Sequence, residues 1–195
     1  MKACLDACVL FPSVMREMLL GAAAAGCFEP VWSERILEEW ARATRRLPVG
    51  AEAIARAEIG RMRARWPEAM AEATPEAEAL ISLPDPDDRH VVAAALAGGA
   101  DTLVTLNRRD FPSRTLARHG LIPRDPDSLL VEIHQDGQGL GSVAAGVQAH
   151  AEQVSGRPQP LRTLLKRAGL PRLAKILASE EDPAGAPPRV TPSRG

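Results

Sequence analysis

Residues 85–111, DPDDRHVVAAALAGGADTLVTLNRRDF, decide the fold. Asp85 suits the N-cap of a helix, Pro86 suits its first turn, and the acids around them complement the helix dipole. Val91, Val92, Ala95 and Leu96 recur at helical spacing and predict a buried stripe, which Gly98-Gly99 ends. Thr102 to Leu106 then reads as a short apolar strand, left by the turn Asn107-Arg108-Arg109-Asp110. A helix feeding a short, wholly apolar strand is the repeating unit of a parallel α/β sheet.

The same alternation runs outward on the N-terminal side. Residues 2–5 predict a buried strand, Phe11 to Gly26 a helix, and 28–31 a second strand. Ser33 caps a helix through about Leu47, broken by Pro48 and Gly50. Residues 51–72 carry helical propensity interrupted at Pro67, and Ala79 to Leu83 predicts a further strand. After Asp125-Pro126 only helical patterns continue, over roughly 127–134, 140–154, 160–168 and 171–179. Residues 180–195 lack apolar periodicity and predict a disordered tail. The expectation is therefore an α/β domain over 1–125, three-layered α/β/α around a central parallel sheet. A helical extension follows over 126–179.

Composition narrows the function classes. Three Phe, three Trp and no Tyr among 195 residues leave little for an aromatic stacking platform. A net charge of −1 gives no global attraction to polyanions, so any nucleic-acid contact needs a local arginine cluster. Cys4, Cys8 and Cys27 form no CxxC pair and are expected as small buried hydrophobes of a reducing, cytoplasmic protein. No apolar run is long enough to span a bilayer, so no membrane partner is expected. Gly-rich phosphate loops, nucleophile elbows and HExxH are missing from the sequence.

What remains is a set of acids far apart in sequence. Asp6 ends the first strand, where open α/β sheets bind ligands; a cap for the following helix is the lesser alternative, because several residues intervene before Phe11. On helix 33–47, Ile36, Trp40, Ala43 and Leu47 form the predicted apolar face. Glu39 lies roughly 70° from its centre, while Glu38 points to solvent. Arg42 and Arg46 share the flank of Glu39, where they could hold phosphates, or where Arg42 could simply pair with Glu39. Asp88 points into the Val91/Val92 stripe, a costly place for a carboxylate unless it is paired or metal-bound. His90 is expected on the solvated side. Asp110 and Asn107 can reach the crevice or cap the turn, and Arg108 and Arg109 add local positive charge. Arg162, Lys166, Arg167, Arg172 and Lys175 alternate with leucines and are expected on the outward side of an amphipathic pair, whose apolar side covers the domain or receives a partner; a nucleic-acid surface is the lesser alternative.

Three of these motifs together resemble the PIN-domain ribonucleases. They are Leu5-Asp6-Ala7-Cys8-Val9-Leu10, Ser33-x(5)-Glu39-Trp40, and Asp88 with its Ala-rich helix running into Leu103-Val104-Thr105-x-Asn107-x-x-Asp110-Phe111. The likeness covers about residues 1–125, and the helices beyond are similar to an extension in a longer subgroup. By resemblance, Asp6, Glu39, Asp88 and Asp110 hold Mg²⁺ or Mn²⁺, with Thr105 and Asn107 lining the site. The resemblance also implies an endoribonuclease that hydrolyses RNA phosphodiester bonds. It further implies a VapC-like toxin of a bacterial toxin–antitoxin pair, silenced by a small antitoxin; a second copy of the chain is the other protein partner considered. One departure is Cys8, where the family carries a small polar residue. Another is the fourth acid, open between Asn107 and Asp110. Two alternatives stand beside this: a non-catalytic RNA- or protein-binding module on the same fold, and a metal-dependent phosphatase-type hydrolase, which would want Asp-x-Asp where Cys8 stands.

Overall fold

The computed structural model describes residues 1–181. The tail expected over 180–195 lies outside the described residues beyond Glu181; Glu180 and Glu181 end a helix. Four short strands form the sheet: β1 Lys2–Leu5, β2 Glu29–Val31, β3 Thr102–Val104 and β4 Ile122–Arg124. Their order is β2-β1-β3-β4, all parallel. Leu5 is level with Val104 and Val104 with Arg124, so the three carboxyl ends form one row. Side chains alternate across a strand. The Cys4 thiol lies 3.8 Å from the Val91 carbonyl of helix α6 (Arg89–Ala97), so Ala3 and Leu5 face the opposite side. All three are fully buried, which requires helices on both faces and gives the three-layer α/β/α arrangement.

The helices follow the local chemistry, with several departures from the pattern expected. The helix anticipated over Phe11 to Gly26 is α2 (Ser13–Ala24), and a short helix not anticipated, α1 (Ala7–Leu10), precedes it. Pro12, which cannot donate an intrahelical bond, stands at the N-cap between them. Helix α3 (Glu34–Ala43) is capped by Ser33, whose hydroxyl accepts from the Ile36 N–H at 3.3 Å. It tightens into a 3₁₀ turn over Thr44–Arg46, which swings Leu47 into solvent at 45% exposure. The buried face is Ile36, Leu37, Trp40 and Ala41, so the anticipated Ala43/Leu47 end was misplaced. Helix α4 (Ala51–Arg65) stops before Pro67.

The strand expected over 79–83 does not form. Helix α5 (Pro75–Ala79) occupies its start, and Ile81 and Leu83 are buried while Leu80 is 84% exposed. The alternation is real but has no neighbouring strand to pair with. Conversely, β4 carries Pro123, which suits an edge strand that donates on one side only.

Beyond the sheet lie α7 (Ser113–Ala117), α8 (Pro126–Ile133), α9 (Gly141–Ser155), α10 (Leu161–Arg167) and α11 (Pro171–Glu181). Leu129, Leu130, Leu140, Val147, Leu165 and Leu173 join the same hydrophobic cluster as Leu5, Met15 and Leu19. Gly21 lets α9 approach α2, since a Cβ there would meet Val143 Cγ1 at 2.4 Å. Gly98 does the same for α6 against Val31, also at 2.4 Å. Asp127 ties α11 down: its carboxylate accepts the Arg172 N–H at 2.9 Å and the Leu173 N–H at 3.0 Å, two donors a helix start leaves unpaired. No helix among the described residues is long and apolar enough to cross a membrane.

Candidate active site at the carboxyl end of the sheet

Because β1 and β3 are neighbours in register, the residues that follow them meet. Asp6 continues the ladder, its N–H donating to the Val104 carbonyl at 3.1 Å, and Thr105 donates to Arg124 at 3.0 Å. Asp6 is 8% exposed and Thr105 fully buried. The Thr105 hydroxyl donates to Asp6 Oδ2 at 2.7 Å. Although Asp6 stands at the N-cap of α1, its side chain makes no capping bond, so the capping alternative fails. Its Oδ1 has no hydrogen-bond partner among the described residues.

Cys8 is more than a small buried hydrophobe. Its thiol donates to Asp6 Oδ2 at 3.0 Å, sits 3.5 Å from Thr105 Oγ1, and accepts the Leu106 N–H at 3.2 Å. Burial, then the Asp6 charge, push the thiol up to about 12, so it stays protonated and inert as a nucleophile. Its position two residues after Asp6, in the first turn of α1, was the available signal.

Asp88 follows the 3₁₀ turn Pro86–Asp88 and starts α6, whose residues pack on β1 and β3. It is half-buried. Burial first, then the carboxylates of Asp6, Asp85 and Asp110, push its carboxyl from 3.8 to about 6, with His90 opposing. Three acids from three segments therefore feel one another across the crevice. Asp110 comes from the turn after β3. Its Oδ2 accepts from the Asn107 amide, and the Asn107 N–H in turn donates to Thr105 Oγ1 at 2.9 Å. Of the two residues between which the fourth acid was open, Asp110 carries the charge that reaches Asp88, and Asn107 orients it.

Glu39 is placed differently. Its Oε1 lies 3.3 Å from Arg35 Nε and 3.0 Å from His90 Nε2. Arg35 also donates to the Asp87 carbonyl at 3.2 Å, which sets Glu39 over the start of α6. His90, expected on the solvated side, is 3% exposed, and its Nδ1 is buried without a partner. The tight turn at 86–88 shifts the helical phase, and Leu96, assigned to the buried stripe, is instead 38% exposed. Arg42 pairs with Glu38 at 2.8 Å and not with Glu39, so Glu38 is bonded to Arg42 and Arg56 where solvent was expected. Arg46 lies over the Phe11 ring at 5.3 Å, beside the end of α1. His90 and Arg35 were missed as site residues; the i,i+4 spacing of Arg35 and Glu39 was the legible hint.

Among the described residues no three Asp, Glu, His or Cys side chains stand close enough to hold a metal ion. The donor set nevertheless suits a hard cation: carboxylate oxygens, one kept fixed by a hydroxyl and a thiol, and an Asp88 carboxyl pushed up by burial and by the neighbouring carboxylates. Concavities lie away from these acids, one of about 440 Å³ between α2, α4 and α9. A second, of about 390 Å³, lies beside Arg108 and Arg124.

No curated protein and no solved structure matches this chain. A family model of the PIN domain matches residues 2–109, from the first residue of β1 into the turn that carries Asn107. Matched over more than half its length, the chain belongs to the PIN-domain family, whose members are in general nucleases.

Proposed function

We propose that this chain is a divalent-metal-dependent endoribonuclease, and that it serves as the VapC-like toxin of a toxin–antitoxin pair. The observation that carries the catalytic reading is the gathering of Asp6, Asp88 and Asp110 at one sheet edge, where burial first and then the charges of Asp6, Asp85 and Asp110 push Asp88 up to about 6. Carboxylates in that relation stay ionised together only at a cost, which a cation removes. Asp6, Asp88 and Asp110 would hold Mg²⁺ or Mn²⁺, with Glu39 at the rim; bound there, the ion neutralises the phosphate and activates water.

The chain's own side chains do the rest. Thr105 and Cys8 fix Asp6 Oδ2, leaving Oδ1 for the ion. Asn107 orients Asp110. Arg46, Arg108 and Arg109 supply cations for the scissile phosphate and its neighbours. No covalent nucleophile is needed, and the protonated Cys8 is unsuited to be one. The toxin assignment rests on the family and on the motif resemblance, and it requires a small antitoxin that silences cleavage. Purified protein incubated with RNA and Mn²⁺, with and without EDTA, tests the catalytic reading. Cleavage by wild type that EDTA and Asp88→Asn both remove supports it; cleavage untouched by either overturns it.

A further inference from the structure

We infer that the outer face of α10 binds the phosphate backbone of single-stranded RNA and extends the proposed crevice onto the C-terminal helices. The nature of the ligand rests on the ribonuclease reading; the surface itself is read from charge and placement. In α10, Leu161, Leu164 and Leu165 are buried, which turns Arg162, Thr163, Lys166 and Arg167 outward together. These four residues line one open concavity of about 640 Å³.

Eight arginines of this molecule are neutralised by a carboxylate. Arg35, Arg42, Arg45, Arg56, Arg61, Arg63, Arg124 and Arg172 all pair with carboxylates. Arg162, Lys166 and Arg167 pair with none of the described residues. Three like charges within six residues of one helix repel, and an arrangement that costs stability without a counter-charge is suited to an external anion. In a chain of net charge −1 this is a local concentration of the kind that polyanion binding requires.

The patch also lies at the right end of the fold. Asp125 directly follows β4, in the row that holds Asp6 after β1 and Thr105 after β3, two strand spacings or about 10 Å along the sheet edge. Arg172 is bound to Asp125 at 3.3 Å, and only Ala168 to Pro171 separate it from Arg167. Gly169 in that turn packs on Met15, in the first turn of α2. The carboxyl end of α10 therefore stands at the same edge as the acids, and α10 itself is only about 10 Å long. Arg108, which pairs with no carboxylate among the described residues, lines the concavity beside β4 together with Asp125. No aromatic residue occurs in α10, so phosphates and not bases are what this face can hold, and binding should be indifferent to sequence.

Fluorescence anisotropy with a labelled unstructured RNA tests this, in the Asp88→Asn background so that the RNA stays intact. The triple variant Arg162→Glu/Lys166→Glu/Arg167→Glu should weaken binding by about tenfold or more at low salt. The slope of log K against log salt should become shallower by about 2, from three phosphate contacts at about 0.7 each. The corresponding glutamine variant should lie between the two, with an unchanged thermal midpoint showing that the fold is intact. Unchanged affinity and slope in either folded variant would overturn the inference. So would loss of an acidic protein partner with RNA affinity intact, because the face would then serve that partner. RNA binding with this slope by a chain that cleaves nothing in Mn²⁺ removes the nuclease reading and leaves the surface standing; cleavage without any contribution from α10 does the reverse.

Discussion

Asp6 and Asp127 are both aspartates close behind a strand of one sheet, and they are almost equally buried, at 8% and 6% exposure. Their surroundings assign them opposite tasks. Asp127 accepts two backbone N–H groups at the start of α11 and the Arg172 guanidinium at 3.3 Å, so its charge is met from three sides. Asp6 receives a hydroxyl and a thiol on one oxygen, leaves the other without a partner, and faces carboxylates that raise Asp88. A buried acid is thus read from what satisfies it and not from its burial. One saturated by donors holds structure together; one left among like charges awaits something positive.

The comparison is broken most severely at Asp88. Asp88→Asn should lower metal-dependent RNA cleavage by about 10³-fold, since a ligand to a charge-stabilising cation contributes several kcal/mol to the transition state. The fold should survive, and metal-free stability should rise slightly. An acid whose folded pKa is raised from 3.8 to about 6 stabilises the fold when protonated. That contribution is gained as pH falls through about 6 and is complete below about 4. Wild type without metal should therefore gain about 1 kcal/mol relative to Asp88→Asn between pH 7 and 4, after allowing for solvent screening of a half-buried group. Thermal melts of both proteins across that range check the sign, and a parallel pH dependence in the two would remove Asp88 as its source.

Asp127→Ala should act on the other side. It leaves two N–H groups of α11 without their acceptor and takes one of two carboxylates from the Arg172 guanidinium, and should cost about 3 kcal/mol of stability. Cleavage by the fraction still folded at low temperature should be close to wild type. Urea denaturation read beside activity separates the two effects; a large activity loss without destabilisation would mean that Asp127 belongs to the chemistry after all.

His90→Ala should have an intermediate effect. It removes one of the two groups on Glu39 and leaves Arg35, so cleavage should fall by about tenfold, in the range usual for residues that orient a ligand. Glu39→Gln should produce at least as large a loss. If His90→Ala reduces stability alone, Glu39 needs no orienting and lies outside the site.

Much of this was legible beforehand, for identifiable reasons. Strand-end positions are local: Leu5-Asp6 and Val104-Thr105 follow from apolar runs, and a parallel register brings the next residues together. The α/β/α architecture follows from the same alternation. Sequence periodicity failed where a tertiary neighbour or a helical phase decides. Ile81 and Leu83 alternate like a strand but find no ladder, whereas Ile122-Pro123-Arg124 pairs with β3 despite its proline. His90 escapes a continuous α-helical periodicity because the 3₁₀ turn Pro86–Asp88 shifts the phase before α6 begins. The residue type of Cys8 suggests only a small hydrophobe, because its role comes from Asp6, Thr105 and Leu106 around it.

The smallest effect is expected at Arg42, and it sharpens the distinction between a cation that is occupied and one that is available. Arg42 and Arg46 share a stretch of sequence and were equally plausible as phosphate contacts. Arg42 donates to Glu38 at 2.8 Å, and Glu38 is held a second time by Arg56 at 2.9 Å. Arg46 pairs with no carboxylate among the described residues and sits over Phe11, one residue beyond the end of α1. Arg42→Ala should leave RNA cleavage within about twofold of wild type, because an exposed pair with a second arginine in reserve contributes little. Arg46→Ala should raise KM for RNA several-fold with little change in kcat, as expected for loss of uniform phosphate binding. Steady-state kinetics on one RNA compares them directly, and an Arg42 effect equal to that of Arg46 would show that the Glu38 pair opens when RNA arrives.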